Sequence, residues 1–172
     1  MKKKIIVRDI TNVTITVDNN NFVQVPVDIS DPTTDPDGYT GCSAGIPTGT
    51  DRVTLKAPNL LYVKYGGSGV PVLFVVTIAP ASIYQPIGIA FLQKTSAGDA
   101  LRRPKFATLR SNFMSGIVAI SGSTISFSDG CYTKGARFEF YIGIQCIDDS
   151  DENYGLLGIL DPGILHDNNS QL

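Results

Sequence analysis

The chain carries one histidine, His166, so any serine or cysteine activated by an imidazole must use that residue. A base of this kind works only when held beside its nucleophile. His166 lies in the polar ending Leu165-His166-Asp167-Asn168-Asn169-Ser170-Gln171-Leu172, which predicts a frayed tail over 165–172 and a solvated imidazole. No G-x-S-x-G turn presents a serine. Cys42, Cys131 and Cys146 form no C-x-x-C pair, and an odd number completes no disulfide framework. Reduced thiols are expected, with Cys146 a small core side chain because it alternates with apolar residues. These residue types predict no enzyme and no catalytic residue.

One histidine and three scattered cysteines leave no ligand set for zinc. Calcium asks only for clustered oxygens. One acidic loop holds Asp28, Asp31, Asp35 and Asp37; a second holds Asp148, Asp149, Asp151 and Glu152. Neither follows the EF-hand pattern. Aspartates of this kind also make good turns. The expected metal and cofactor content is therefore none, with calcium at these loops as the alternative.

Gly66-Gly67-Ser68-Gly69 lacks the Gly-Lys-Ser/Thr ending of a phosphate-binding loop and reads as a hairpin turn. Arg102, Arg103, Lys105 and Arg110 form a basic cluster without interleaved aromatics, which reads as a solvated connection. There is no Trp. Tyr39, Tyr84, Tyr132 and Tyr154 fall at or near expected loops, where they would either stack on sugar rings or cover the rim of a sandwich.

Strands must position all of these groups. A chain of 172 residues suits one domain, 1–172. Charged residues make up 17%, below the usual quarter, and 17 Gly with 10 Pro argue for many turns. Apolar and polar residues alternate over Val13–Val17, Val23–Ile29 and Val53–Leu55. Pro26 makes the second of these an edge strand or a bulge. The apolar runs Val70–Ile78 and Ile87–Leu92 predict central strands covered on both faces. Further strands are expected over Gly116–Ile120, Thr124–Phe127, Arg137–Ile147 and Tyr154–Leu160. In Arg137–Ile147, Phe138, Phe140, Ile142, Ile144 and Cys146 should share the core face. One short helix is expected over Ser96–Arg103, and a long loop over residues 30–50. The fold class that follows is all-β, an antiparallel β-sandwich of the jelly-roll or immunoglobulin-like kind.

Residues 137–164 read RFEFYIGIQCIDDSDENYGLLGILDPGI, a long strand, an acidic turn and a second strand ending on Leu160-Asp161-Pro162. This resembles the ending of the DP-EP family of small bacterial β-sandwich proteins, which finishes in a similar Ile/Leu-Asp-Pro phrase. More distantly it is similar to the AidA/PixA inclusion-body proteins, which close on a hairpin and an Asp-Pro. Here Ile159-Leu160 precedes that Asp-Pro instead of aromatic residues. The resemblance implies a bacterial sandwich of about this length and brings no catalytic residue. Asp161-Pro162 itself reads as a structural terminator.

The net charge of −2 gives no positive field for nucleic acid. No apolar run is long enough to span a membrane as a helix. Met1-Lys2-Lys3-Lys4 is followed by only three apolar residues, too few for a signal peptide, so a cytoplasmic protein is expected. The leading expectation is a non-enzymatic binding or self-associating structural module, a homo-oligomer. The alternatives are a lectin-like carbohydrate binder, with or without calcium, and a cryptic enzyme with gathered carboxylates.

Overall fold

The alternating runs become strands because each places one apolar face against a partner sheet. The computed structural model describes residues 9–22, 24, 39–66, 70–94, 101–102, 112–113, 118–131, 133 and 135–167. Its strands are β1 (Asp9–Val17), β2 (Cys42–Ala44), β3 (Val53–Ala57), β4 (Leu60–Val63), β5 (Val72–Ala79) and β6 (Tyr84–Lys94). They continue with β7 (Leu101–Arg102), β8 (Ala119–Ser121), β9 (Thr124–Asp129), β10 (Arg137–Cys146), β11 (Leu157–Leu160) and β12 (Gly163–His166).

Two sheets form an all-β sandwich. One has five strands in the order β2-β1-β5-β9-β8; the other has seven, β3-β4-β12-β10-β6-β7 with β11 also on β10. Most neighbours are antiparallel, but β1–β5 and β4–β12 run parallel. Each parallel pair joins strands distant in sequence, as parallel pairing requires.

The core lies between the sheets. Val13, Ile15 and Val17 of β1, Val72, Phe74, Val76 and Ile78 of β5, and Ile125 and Phe127 of β9 face it from one side. Phe138, Phe140, Ile142, Ile144 and Cys146 face it from β10, as their spacing predicts. Phenylalanines run through the middle: Phe74 stacks on Phe127 at 5.0 Å and Phe91 on Phe113 at 4.2 Å. Phe113 then meets Phe138 edge-on at 4.9 Å, a favoured aromatic geometry.

Several expectations are corrected. The 165–172 tail does not begin where the polar composition suggests. Gly163–His166 is a strand between β4 and β10, with His166 and Asp167 buried; residues 168–172 lie outside the described residues. Asp161-Pro162 ends β11 at Leu160 as expected, but a further strand, β12, begins directly beyond it. Leu160 pairs with Ile142 and Gly163 with Glu139, so β11 and β12 keep one register along the same edge of β10. Proline lacks an N–H, yet its carbonyl accepts from Phe140 N at 2.9 Å and carries the ladder across the gap.

The helix expected over Ser96–Arg103 gives way at Leu101–Arg102 to a strand pairing with Gln93 and Lys94; the rest of that span lies outside the described residues. The two central runs are not covered on both faces. β5 alternates buried and half-buried residues, and Ile87 of β6 is exposed. β-Branched residues there serve strand propensity on an open face. Tyr84 is a core residue of β6, not a loop residue. Within the 30–50 loop, Cys42–Ala44 is an edge strand on β1, while 30–38 lies outside the described residues. The closing strand is shorter than expected, Leu157–Leu160. Of the Val23–Ile29 strand, only Gln24 is described, outside any strand.

Candidate functional site

Two features stand out: a buried polar cluster at one end of the sandwich, and the outer face of the five-stranded sheet. The cluster forms because two polar residues continue the core-facing phase of their strands. On β9 the phase runs Ile125, Phe127, Asp129; on β12 it runs Ile164, His166. Both side chains are 0% exposed, and His166 Nε2 lies 2.9 Å from Asp129 Oδ2. The other ring nitrogen, Nδ1, lies 3.0 Å from the Thr133 carbonyl oxygen.

A carbonyl and a carboxylate only accept hydrogen bonds. The two contacts are both hydrogen bonds only when both ring nitrogens carry protons, the imidazolium form. Burial on its own pushes the His166 pKa down. The Asp129 charge, the hydrogen bond to it and the Thr133 carbonyl outweigh burial and raise it. The ring also sits 5.1 Å from the Phe138 ring.

The turn after β9 is fastened around this pair. Asp129 Oδ1 accepts from Cys131 N at 2.8 Å, and Cys131 adopts a positive φ of 51° to reach it. Thr133 N donates to Asn112 Oδ1 at 3.1 Å, and Asn112 Nδ2 donates to Thr133 Oγ1 at 2.7 Å. His166 N donates to the Ala136 carbonyl. On the outer side of the same end, Tyr62 OH donates to Asp167 Oδ1 at 3.0 Å.

A second ion pair closes the same end. Asp9, Val72 and Asp129 are register partners across the five-stranded sheet. Opposite them stand Val63, paired with both Val53 and His166, and Arg52 just before β3. Arg52 Nη1 donates to Asp9 Oδ2 at 2.8 Å and to the Val70 carbonyl, and its Nε donates to the Lys64 carbonyl. Each pair thus spans the two sheets.

Cysteine, histidine and aspartate meet here, yet the arrangement does not prepare a nucleophile. The Cys131 thiol donates to the Val63 carbonyl at 3.3 Å, and burial followed by the Asp129 charge pushes its pKa up to about 12. A thiol held protonated is a poor nucleophile. The expectation of a solvated tail imidazole is overturned. The signal for His166 was present in the alternation Ile164-x-His166.

The outer face of the five-stranded sheet is built by the opposite phase. β1 contributes Ile10, Asn12, Thr14 and Thr16; β5 contributes Leu73, Val75, Thr77 and Ala79. Ser43 joins from β2, Thr124 and Ser126 from β9, and Ala119 and Ser121 from β8, while Ser128, next in phase, is buried. None of these side chains is charged. Exposed apolar residues lie on or beside this sheet: Ile10 at 48%, Ile46 at 81%, Val118 and Ile120. The other outer face is charged, with Arg137 and Lys94 both 3.1 Å from Glu139 and Lys56 over the Tyr62 ring.

The acidic turn folds on itself. Asp148 Oδ1 accepts from Ser150 N and Oγ; Asp151 accepts from Asn153 N and from Asn19 Nδ2 at 3.0 Å. These hydrogen bonds hold both carboxyls below the usual carboxylate range, through Ser150 for Asp148 and chiefly Asn19 for Asp151. Among the described residues, no three His, Cys, Asp or Glu side chains gather to hold a metal ion. Asp149 and Glu152 belong to this turn, whereas Asp28, Asp31, Asp35 and Asp37 lie outside the described residues. Of the tyrosines, Tyr39 stacks on Tyr141 at 5.5 Å, Tyr154 is exposed and Tyr132 is outside the described residues. In the basic cluster, only the backbone of Arg102 is described. Of the glycine turn at 66–69, only Gly66 is described, close against the Arg52 guanidinium.

The sequence matches no family model and no curated protein. Among solved structures, the chain is similar to the crystal structure of an inclusion body protein, PixA, from Burkholderia cenocepacia J2315. The likeness covers 96% of this chain and 98% of that one, with a TM-score of 0.51 and 13% identity. At that identity the two share a fold, a PixA-like β-sandwich.

Proposed function

We propose that this chain is a non-enzymatic structural module that associates with copies of itself through the outer face of the five-stranded sheet. The observation that carries this reading is that none of the described residues placed on that face is charged, beside a charged face on the other sheet. Two identical charged faces bring like charges together unless their pattern is self-complementary; an uncharged face carries no such penalty. Strand spacing and rise give the strands of this face roughly 450 Å² per copy, or about 900 Å² for a pair. That is the size of a weak interface, so a concentration-dependent association is expected. The name of the Burkholderia protein, inclusion body protein, supports a chain that packs against itself. The Leu160-Asp161-Pro162 phrase supports a finer kinship with the DP-EP proteins.

Size-exclusion chromatography with light scattering over a hundredfold range of concentration tests the reading. The mass should rise with concentration and change little with salt. A strict monomer at the highest concentration overturns it.

A further inference from the structure

We propose that His166 and Asp129 form a proton-held clasp, which keeps one end of the sandwich closed while the imidazole carries two protons and weakens it when one is lost. The two residues come from different sheets, are fully buried, and meet at 2.9 Å. The second ring nitrogen faces a carbonyl, so a neutral imidazole cannot keep both contacts as a donor. Loss of the proton leaves one of the two ring nitrogens bare, facing either the Asp129 carboxylate or the Thr133 carbonyl, and leaves the buried Asp129 charge without its cationic partner. An uncompensated charge in such a place is strongly unfavourable.

Among the groups around the pair, His166 is the one whose ordinary value lies near neutrality. Cys131 stands beside Asp129, with its thiol pushed up to about 12 by burial and then by the Asp129 charge. Tyr62, from the neighbouring strand, is also raised, first by its hydrogen bond to Asp167. Asp167 follows His166 directly, and Arg52, beyond Val63, is held by Asp9. The remaining neighbours, Asn112, Thr133, Phe113 and Phe138, do not titrate.

The direction of the effect follows from linkage. A folded-state pKa raised above the unfolded value gives stability that is fully present below the unfolded value, about 6.5. That stability is lost as pH rises through the raised folded-state value. The unfolding equilibrium constant should therefore rise by up to about tenfold per pH unit above about pH 6.5. Below about pH 8 the thiols, with an ordinary value near 8.5, add little to this slope.

The single histidine makes the test clean. Imidazole nitrogen NMR of the native protein should show both nitrogens protonated at pH 7, with no titration at the ordinary value. A bare nitrogen at pH 6.5, or a midpoint at the ordinary value, overturns the proposal. Urea unfolding between pH 6 and 8 should show the slope in the wild type and lose it in Asp129→Asn. Equal slopes in the two overturn it. If Asp129→Asn does not fold, the wild-type NMR result still decides.

Discussion

His166 and Asp129 sit at the ends of strands in different sheets, and their side chains meet at 2.9 Å with neither exposed. Removing one partner strands the other's polar group in the core. His166→Phe and Asp129→Leu should each destabilise the fold by about 3–5 kcal/mol. The double variant should recover much of that loss, because no unpaired charge remains. Urea unfolding of the four proteins measures this coupling. Single losses that simply add in the double variant would contradict it.

The thiols should be inert while the protein is folded. Burial, then the Asp161 charge, pushes Cys42 up to about 11; Cys131 reaches about 12, and burial raises Cys146 as well. At pH 8 a thiol near 11 has on the order of 100-fold less thiolate than an ordinary one. Labelling with a disulfide reagent should be slow in the native state and reach three thiols per chain after denaturation. Rapid native labelling of Cys131 would contradict the described packing.

Gly158 is a test of how tightly the 39–41 segment lies against β11. A Cβ there would stand 2.6 Å from Thr40 Oγ1 and 3.2 Å from the Phe22 ring. Thr40 N also donates to the Ile159 carbonyl at 3.0 Å, so this segment has little room to withdraw. Gly158→Ala should cost about 1–3 kcal/mol through overpacking. Thermal unfolding would show it, and an unchanged Tm would mean that the segment yields easily.

The acidic turn should ignore calcium. The Asp148 and Asp151 carboxylates already accept hydrogen bonds from Ser150, Asn153 and Asn19. A ligand that binds only the native state raises Tm. Millimolar calcium or EDTA should leave Tm where it is; a clear rise with calcium would restore the metal reading.

Much of the architecture was legible in period-two alternation. Phe138, Phe140, Ile142, Ile144 and Cys146 took the core face as their spacing requires, and the strand expected over Thr124–Phe127 is β9, paired with β8 across a turn with Gly122 at a positive φ of 54°. The site was less legible because its parts are local to different segments. Asp129 and His166 are 37 residues apart and end strands of different sheets. Polar neighbours after His166 suggested a tail, although Ile164 and His166 continue a core phase. Asp161-Pro162 marked the end of β11, but nothing in it foretold the strand that starts beyond it in the same register on β10. The uncharged outer face could be assembled only after pairing placed Thr14 beside Thr77 and Thr77 beside Thr124.

Matched lysine variants on the two outer faces test self-association most directly. Thr14→Lys with Thr77→Lys puts charge on the five-stranded face; Ala90→Lys puts it on the exposed seven-stranded face. Sedimentation velocity at high protein concentration should show the Thr14/Thr77 variant shifted to monomer and the Ala90 variant assembling like wild type. Equal assembly by all three proteins, or loss confined to the Ala90 variant, would contradict an interface on the uncharged face.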